Sequence, residues 1–454
     1  MRRKPAREWA LDILLQYEQN QSYSNLLLNQ ALQKSGLDAR DKRLVTELVY
    51  GCIQRLNTLD WILNQLVKKG LSALKPWVRQ ALRLGLYQLM YLDRIPERAA
   101  VNETVHLAKK RGHQGIANLV NGVLRRYLRE KEKWTFPAST DSTKELALAY
   151  SHPEWLVKRW VQVYGLETAI AMMQANLRPA RVSVRVNRLK IDRDRFMALW
   201  REKEAGEVVP SDLSPDGVII ERGGNPAHSS LFAQGLCTIQ DESSMLVARA
   251  LAPKPGMRIL DACAAPGGKS THLAELMDND GSVLACDIHP HKMELIRSNV
   301  NRLGIQMIET RQIDVRKLAE EPDKQGYFDA ILLDAPCSGL GVIRRKPDIK
   351  WSKEAEEIDS LVQLQKELLE SVAKLLRTGG VLLYSTCTIE PRENQEQVEQ
   401  FLQAHPDFIP DRHLPDYLPP VVQQKSMTGE GWVQIFPHHF ESDGFFIARL
   451  IKQA

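Results

Sequence analysis

The stretch Leu260-Asp261-Ala262-Cys263-Ala264-Ala265-Pro266-Gly267-Gly268-Lys269-Ser270-Thr271 decides the fold. In front of it, Met257 to Leu260 is a short apolar run of the buried-strand type; behind it, Thr271 to Met277 has helical spacing. A glycine-rich turn from a strand into a helix N-terminus lets a ligand approach bare N–H groups at the positive end of the helix dipole. The dinucleotide fingerprint has three spaced glycines. Here two adjacent glycines follow a proline, so the turn alone fits a plain strand-to-helix connection equally well.

Its surroundings narrow the reading. Val283 to Cys286 is a second buried-strand run that ends on Asp287, twenty residues after Gly267. That spacing suits a carboxylate for a pair of ribose hydroxyls. Ile308 to Ile313 leads to Asp314, and Phe328 to Leu333 leads to Asp334. With Asp261, four successive strand tips carry a carboxylate, at the sheet edge where parallel α/β folds bind ligands. An amphipathic helix over Ser360 to Leu376, a fifth strand at Val381 to Tyr384 and a hairpin of Val433–Phe436 with Phe445–Leu450 complete the pattern.

The whole chain sets the bounds. Its 454 residues exceed a usual single domain, and 43% are hydrophobic, enough for substantial cores. No run of about 18 apolar residues appears, which argues against a membrane span. The basic start Met1-Arg2-Arg3-Lys4-Pro5 runs into an amphipathic helix instead of an apolar signal region, so the expected compartment is the cytoplasm. Six scattered cysteines without a Cys-x-x-Cys pair argue against a disulfide framework or a zinc site. His438-His439 lacks a third ligand in recognisable spacing and reads as loop, so no metal is expected. The net charge is +5, but residues 1–130 carry 22 Lys and Arg against 11 Asp and Glu, and the rest 39 against 45. That basic third suits a polyanion partner, with scattered solubilising charge as the alternative.

Residues 6–129 show helical spacing nearly throughout, with stripes at Trp9, Ile13, Leu14, Tyr17 and at Leu44, Leu48, Cys52, Leu56. Breaks near Ser22, Gly36, Gly70 and Ile95-Pro96 divide the run into about seven helices. Residues 131–150 are polar and read as a linker. From 151 to about 230, helical character followed by strands at Val182–Val186 and Val218–Glu221 predicts a small α+β module, in which Arg181, Arg185 and Arg188 face phosphate or solvent. Asp241 or Ser243 caps a helix through Leu251. The basic loop Ile343 to Trp351 follows a strand tip, and its Arg, Lys and Trp suit the contacts of a flipped-out nucleotide.

Asp261 to Lys269, the turn Asp334-Ala335-Pro336-Cys337-Ser338-Gly339 and Ser385-Thr386-Cys387-Thr388 together resemble the RNA cytosine-C5 methyltransferases that use S-adenosylmethionine. Asp41-Lys42-Arg43-Leu44-Val45, Val101 to Val105 and Val120 to Leu124 resemble the NusB-like RNA-binding domain, the alternative being a dimerisation or scaffolding bundle. Motifs and their order resemble the bacterial 16S ribosomal RNA cytosine-C5 methyltransferase B family. The resemblance implies a multidomain chain: an all-α NusB-like bundle over 1–130, the linker, an RNA-contacting α+β module over 151–230, and an α/β Rossmann-like class I methyltransferase domain over 231–454. It further implies a monomer that methylates one cytosine, position 967 in the usual numbering, on 16S rRNA before small-subunit assembly.

The same resemblance assigns the site. Cys263, Ala264, Ala265, Pro266, Gly267, Gly268 and Lys269 wrap the amino-acid end of S-adenosylmethionine, Asp287 takes the ribose, Asp314 the adenine amine, and Asp334 lies between cofactor and base. C5 of cytosine is a poor nucleophile, and a thiolate added at C6 makes it an enamine carbon; transfer to an amine needs no cysteine. Cys337 and Cys387 stand at two strand tips. A DNA-type Pro-Cys nucleophile would be Cys337. The RNA pattern makes Cys387 the nucleophile and Cys337 the residue assisting product release. Lys269 and the nearby helix N-terminus are sources of thiolate activation, and Asp334 partners N3 and the exocyclic amine. Cys52 and Cys286 read as core. The rivals are a tRNA cytosine-C5 methyltransferase and an RNA-binding adaptor with a vestigial catalytic domain.

Overall fold

The computed structural model describes residues 4–20, 24–137 and 139–453. They form two compact units, one running to Arg178 and including Arg345–Ser352, the other made of Pro179–Arg344 and the chain from Lys353 onward.

The first unit is helical. Seven α-helices, Ala6–Asn20, Ser24–Lys34, Ala39–Gln54, Leu56–Leu66, Pro76–Tyr91, Glu97–Arg111 and Gln114–Arg129, follow one another among the described residues up to 129. Pro76–Tyr91 is the central helix: every side chain from Gln80 to Leu89 is buried, so it is apolar nearly all round. Its polar exceptions are answered, Arg83 by both oxygens of Asp60 at 2.6 and 2.7 Å and Gln80 by Glu18 at 3.1 Å. Gln114–Arg129 instead turns Ala117, Val120, Val123, Leu124 and Tyr127 inward and leaves Arg125 and Arg129 exposed.

Residues 131–150 are more than a connector. Trp134 and Phe136 pack edge-on against Trp61, with ring centroids 6.0 and 5.3 Å away. Ser142 then caps a helix over Thr143–Ala149. A long helical segment, Glu154–Asn176, turns at Gly165 (φ 78°). Its end is tied to the bundle by Gln54, whose Nε2 donates to the Asn176 carbonyl at 2.7 Å. The division between compact units therefore falls at Arg178, inside the module that the sequence places at 151–230. Aromatic staples and single hydrogen bonds of this kind are invisible to composition.

The second unit holds two sheets. Strands β1 (Val182–Val186), β2 (Glu207–Pro210), β3 (Gly217–Arg222) and β4 (Cys237–Ile239) form an antiparallel sheet in the order β2-β3-β1-β4. Val184, Val186, Val218 and Ile220 meet Phe196 and Trp200 of helix Arg193–Lys203 in its core.

The larger sheet contains β5 (Arg258–Asp261), β6 (Ser282–Asp287), β7 (Ile308–Gln312), β8 (Phe328–Asp334), β9 (Leu376–Thr386), β10 (Phe408–Pro410), β11 (Met427–Gly429), β12 (Trp432–Ile435) and β13 (Phe445–Lys452). The order is β11-β12-β13-β9-β8-β5-β6-β7, with β10 on β13. β5 to β9 pair in parallel and β13 is antiparallel to β9. Alternate residues serve opposite faces. Leu260, Ile331, Leu333 and Tyr384 pack towards helix Ala355–Leu375, and Ile259, Leu332, Leu383 and Ile447 towards helix Glu242–Leu251, which Asp241 caps. The chain leaves β5 for β6 and β7 on one side and returns to β8 on the other. This reversal between β5 and β8 is the topological switch point, where such sheets bind ligands. No helix among the described residues is long and apolar enough to cross a membrane.

Candidate active site

The switch point brings the motif residues together. β5 ends on Asp261, and the chain turns through Cys263–Gly267 into the helix Gly268–Leu276. Gly267 holds φ +95°, with Ile296 backbone 3.1 Å from where a Cβ would stand, so a side chain there is both strained and crowded. Gly268 faces open space. Asn299 Nδ2 donates to the Pro266 carbonyl at 3.0 Å and pins the turn from the side.

Asp261 is buried. One carboxylate oxygen accepts from Ser270 Oγ at 2.6 Å; the other, Oδ1, has no hydrogen-bond partner among the described residues. Burial is the main force that pushes this carboxyl up to about 7, with the charge of Asp334 adding to it. The sequence placed Asp261 at a strand tip but gave it no task. Asp287 ends β6 and accepts from the His289 N–H at 3.0 Å, with the Lys292 ammonium 3.8 Å from its other oxygen. Ile288, beside it, is 54% exposed. Asp314, after β7, caps helix Val315–Leu318, and both its oxygens meet Arg316 at 2.7–3.1 Å. Hydrogen bonds from Arg316 are the main reason its carboxyl lies below the usual range.

Asp334 ends β8. Its Oδ2 takes the Lys269 ammonium at 2.7 Å and its Oδ1 the Ser385 hydroxyl at 2.8 Å. Burial alone would pull the Lys269 ammonium down, but Asp334, with Cys387 and Asp261 behind it, holds it above its ordinary value. Cys337 and Cys387, fifty residues apart, stand with their sulfurs 3.4 Å from one another. Contact with Cys387, then burial, pushes the Cys337 thiol well up. Gly341 makes this approach possible: a Cβ there would lie 2.7 Å from the Cys387 carbonyl oxygen and 2.2 Å from that of Gly444.

Cys263 lies in the glycine-rich turn after β5, with its thiol pushed well up by burial. Cys52, Cys237 and Cys286 are buried and free, and burial pushes Cys237 and Cys286 up to about 12. No group of three or more His, Cys, Asp or Glu among the described residues could hold a metal ion.

Two expectations about basic residues are corrected. Arg185 does not face phosphate. It is fully buried and forks onto Glu275 at 2.8 and 2.9 Å, with further bonds to the Gly268 carbonyl at 2.8 Å and Thr271 Oγ1 at 3.0 Å. It therefore braces the helix that starts at the glycine-rich turn. Arg181 pairs with Glu441 and Arg188 lies 3.6 Å from Asp278. The loop after Cys337 is likewise not a free rim. Arg344 donates to the Pro437 carbonyl at 2.7 Å. Within the helical unit, Lys350 Nζ donates to the carbonyls of Gln54 and Ser151 at 2.9 and 2.5 Å, and Trp351 Nε1 to that of Ile53 at 2.7 Å. A basic loop with an aromatic end has the same composition whether it anchors or waits for RNA.

Family comparisons match three segments of the chain. Residues 248–451 match the model of the 16S rRNA methyltransferase RsmB/F, residues 4–129 the NusB family, and residues 152–226 the ferredoxin-like domain of RsmF/B-like methyltransferases. The probable ribosomal RNA small subunit methyltransferase B of Bacillus subtilis is 46% identical over 453 residues, all of both chains. The chain belongs to the RsmB/F methyltransferase family. The ribosomal RNA small subunit methyltransferase B of Salmonella heidelberg is 39% identical, with 96% of each chain covered. Among solved structures, PH0851 superposes with a TM-score of 0.81 at 30% identity over 99% of both chains. A methyltransferase homologue from Pyrococcus horikoshii gives 0.59 at 29% identity, over 69% of this chain and all of its own. In RsmB/F terms the protein is a NusB-type helical domain, a ferredoxin-like module and a methyltransferase domain.

Proposed function

We propose that this RsmB/F methyltransferase transfers a methyl group from S-adenosylmethionine to C5 of one cytosine of 16S rRNA, through a covalent bond between Cys387 and C6. The observation that carries the reading is the 3.4 Å approach of two thiols beside the Lys269–Asp334 pair. Transfer to nitrogen or oxygen uses no thiol; transfer to an unactivated pyrimidine carbon does.

The turn fits the cofactor: Asp261 Oδ1 lacks a partner among the described residues, Gly268 faces open space, and Asp287 keeps acceptor capacity for ribose hydroxyls. Cys263 to Lys269 would hold its amino-acid end and Asp314 its adenine amine. When bound, S-adenosylmethionine supplies an electrophilic methyl group.

Cys387 sulfur bonds to C6 and the C5=C6 electron pair moves onto C5. Asp334, held by Lys269 and Ser385, faces N3 and accepts from the exocyclic amine, and the Lys269 ammonium on its carboxylate offsets the negative charge that develops there. Once C5 carries its methyl group, the C5 proton leaves to a base, the double bond reforms, and the C6–S pair returns to Cys387. Cys337, still a thiol, donates a hydrogen bond to the departing thiolate. Bisulfite sequencing of rRNA and tRNA from a deletion strain tests the assignment. One 16S cytosine losing protection supports it; loss in tRNA alone, or none, overturns the substrate.

A further inference from the structure

Each cysteine at the active centre has its two chain neighbours tied down, and both ties converge on one dipeptide, Glu393-Asn394. Glu393 ends the short 3₁₀ turn Pro391–Glu393, and Asn394 begins the helix Gln395–Ala404. Both side chains are buried.

Glu393 serves the Cys337 side. Its Oε1 accepts from the Ser338 N–H at 2.8 Å and from Gln365 Nε2 at 3.0 Å, and Gln365 Nε2 also reaches the Pro336 carbonyl at 2.9 Å. Its Oε2 accepts from Ser338 Oγ at 2.5 Å. Since the Ser338 proton goes to Glu393, the 2.7 Å contact between Ser338 Oγ and Thr388 Oγ1 is a bond donated by Thr388. Asn394 serves the Cys387 side. Its Oδ1 accepts from Thr386 Oγ1 at 2.5 Å, and its Nδ2 donates to the Thr388 carbonyl at 3.0 Å and to Gln434 Oε1 at 2.7 Å. The Thr388–Ser338–Glu393 chain then joins the two halves. No base or cofactor atom is needed to complete it.

We propose that Glu393 and Asn394 are positioning residues that set the two thiols in register, Glu393 by fixing the turn of Cys337 and Asn394 by fixing that of Cys387. The division of labour rests on the roles proposed above for the two cysteines; the register itself does not. Loss of Glu393 frees Cys337, so product release fails while attack survives. Loss of Asn394 frees Cys387, so attack itself fails.

The experiment uses the full chain carrying Glu393→Ala, Asn394→Ala or Glu393→Gln, with melting temperature as the check on folding. Phenylarsine oxide, which bridges two adjacent thiols, reports the register without substrate; bridged Cys337–Cys387 peptide is counted by mass spectrometry. Both alanine variants should bridge more slowly. Asn394→Ala should lose roughly 10–100-fold in single-turnover methylation, the usual cost of small misplacement, with the RNA KM little changed, whereas Glu393→Ala should keep single-turnover transfer and lose multiple-turnover activity. Labelled RNA on denaturing gels should show adduct accumulating with Glu393→Ala and absent with Asn394→Ala. Glu393→Gln, which keeps an acceptor for Ser338, should recover much of both. Should the alanine variants fail to fold, Ser338→Ala and Thr388→Val cut the joining chain instead and should slow bridging in the same way. Wild-type bridging and turnover in folded variants overturn the proposal. Slowed bridging with no adduct from any protein leaves the register standing and removes the covalent mechanism.

Discussion

At the scale of single residues, the centre turns on two thiols 3.4 Å apart, Cys337 and Cys387. The roles proposed for them differ, so the two alanine substitutions should have opposite consequences. Cys387→Ala is expected to abolish methylation and every covalent adduct, including that with RNA carrying 5-fluorocytosine, where loss of the C5 proton is blocked. Cys337→Ala should trap adduct with ordinary cytosine. Denaturing gels with labelled RNA read both, and the reverse pattern would exchange the roles. Asp261 gives a second expectation. Its carboxyl is raised by burial to about 7 and is protonated in the native protein over a range where the unfolded chain has already lost the proton. Native stability therefore declines as pH rises from about 4 to about 7 and then levels. Asp261→Asn, which mimics the protonated form, should flatten that part of the curve in melting temperature against pH. The placing of Asp261, Asp287, Asp334 and Cys387 was legible because a buried strand ending in a polar residue is a local pattern. Arg185 and Glu393 were not: their partners lie 90 and 55 residues away, and neither has a neighbour that marks it.

At the scale of elements, the seven helices and the order of parallel strands follow from apolar period and turn chemistry, both local signals. What local signals cannot say is where a loop goes. The segment after Cys337 is basic, broken by Pro347 and closed by Trp351, which is as true of an anchor as of a substrate rim. Lys350 shows which it is: its ammonium donates to two backbone carbonyls, pairs with no carboxylate among the described residues, and is pushed well below its ordinary range by burial, an environment hostile to phosphate-binding charge. Trp351→Ala removes a half-buried ring and the indole donor to the Ile53 carbonyl. It should cost the helical unit about 1–3 kcal/mol, seen as a lower first transition in calorimetry. An unchanged transition would mean the segment is only laid on the surface.

At the scale of the whole molecule, charge is unevenly dealt, 22 basic against 11 acidic residues in the first 130. Lys109, Arg125 and Arg129 are exposed on the helical unit. If they meet RNA phosphate, replacing each with glutamine should lower the log affinity against log salt slope by about 0.7 per lost contact on single strands, with the melting temperature unmoved. An unaltered slope would place the RNA elsewhere. Point substitutions are the right tool here, since deleting residues 1–130 would also strip Lys350 of its partner Gln54 and Trp351 of its partner Ile53.

That last dependence bears on the order of synthesis. The helical unit takes in Arg345–Ser352, residues that leave the ribosome long after Arg178. At roughly 5–20 residues per second, the nascent bundle waits on the order of 10–30 s with the seat for Trp351 unfilled. A chain interrupted between the two segments would carry every helix of that unit up to Asn176 and still lack the short helix Ile349–Ser352 that completes it.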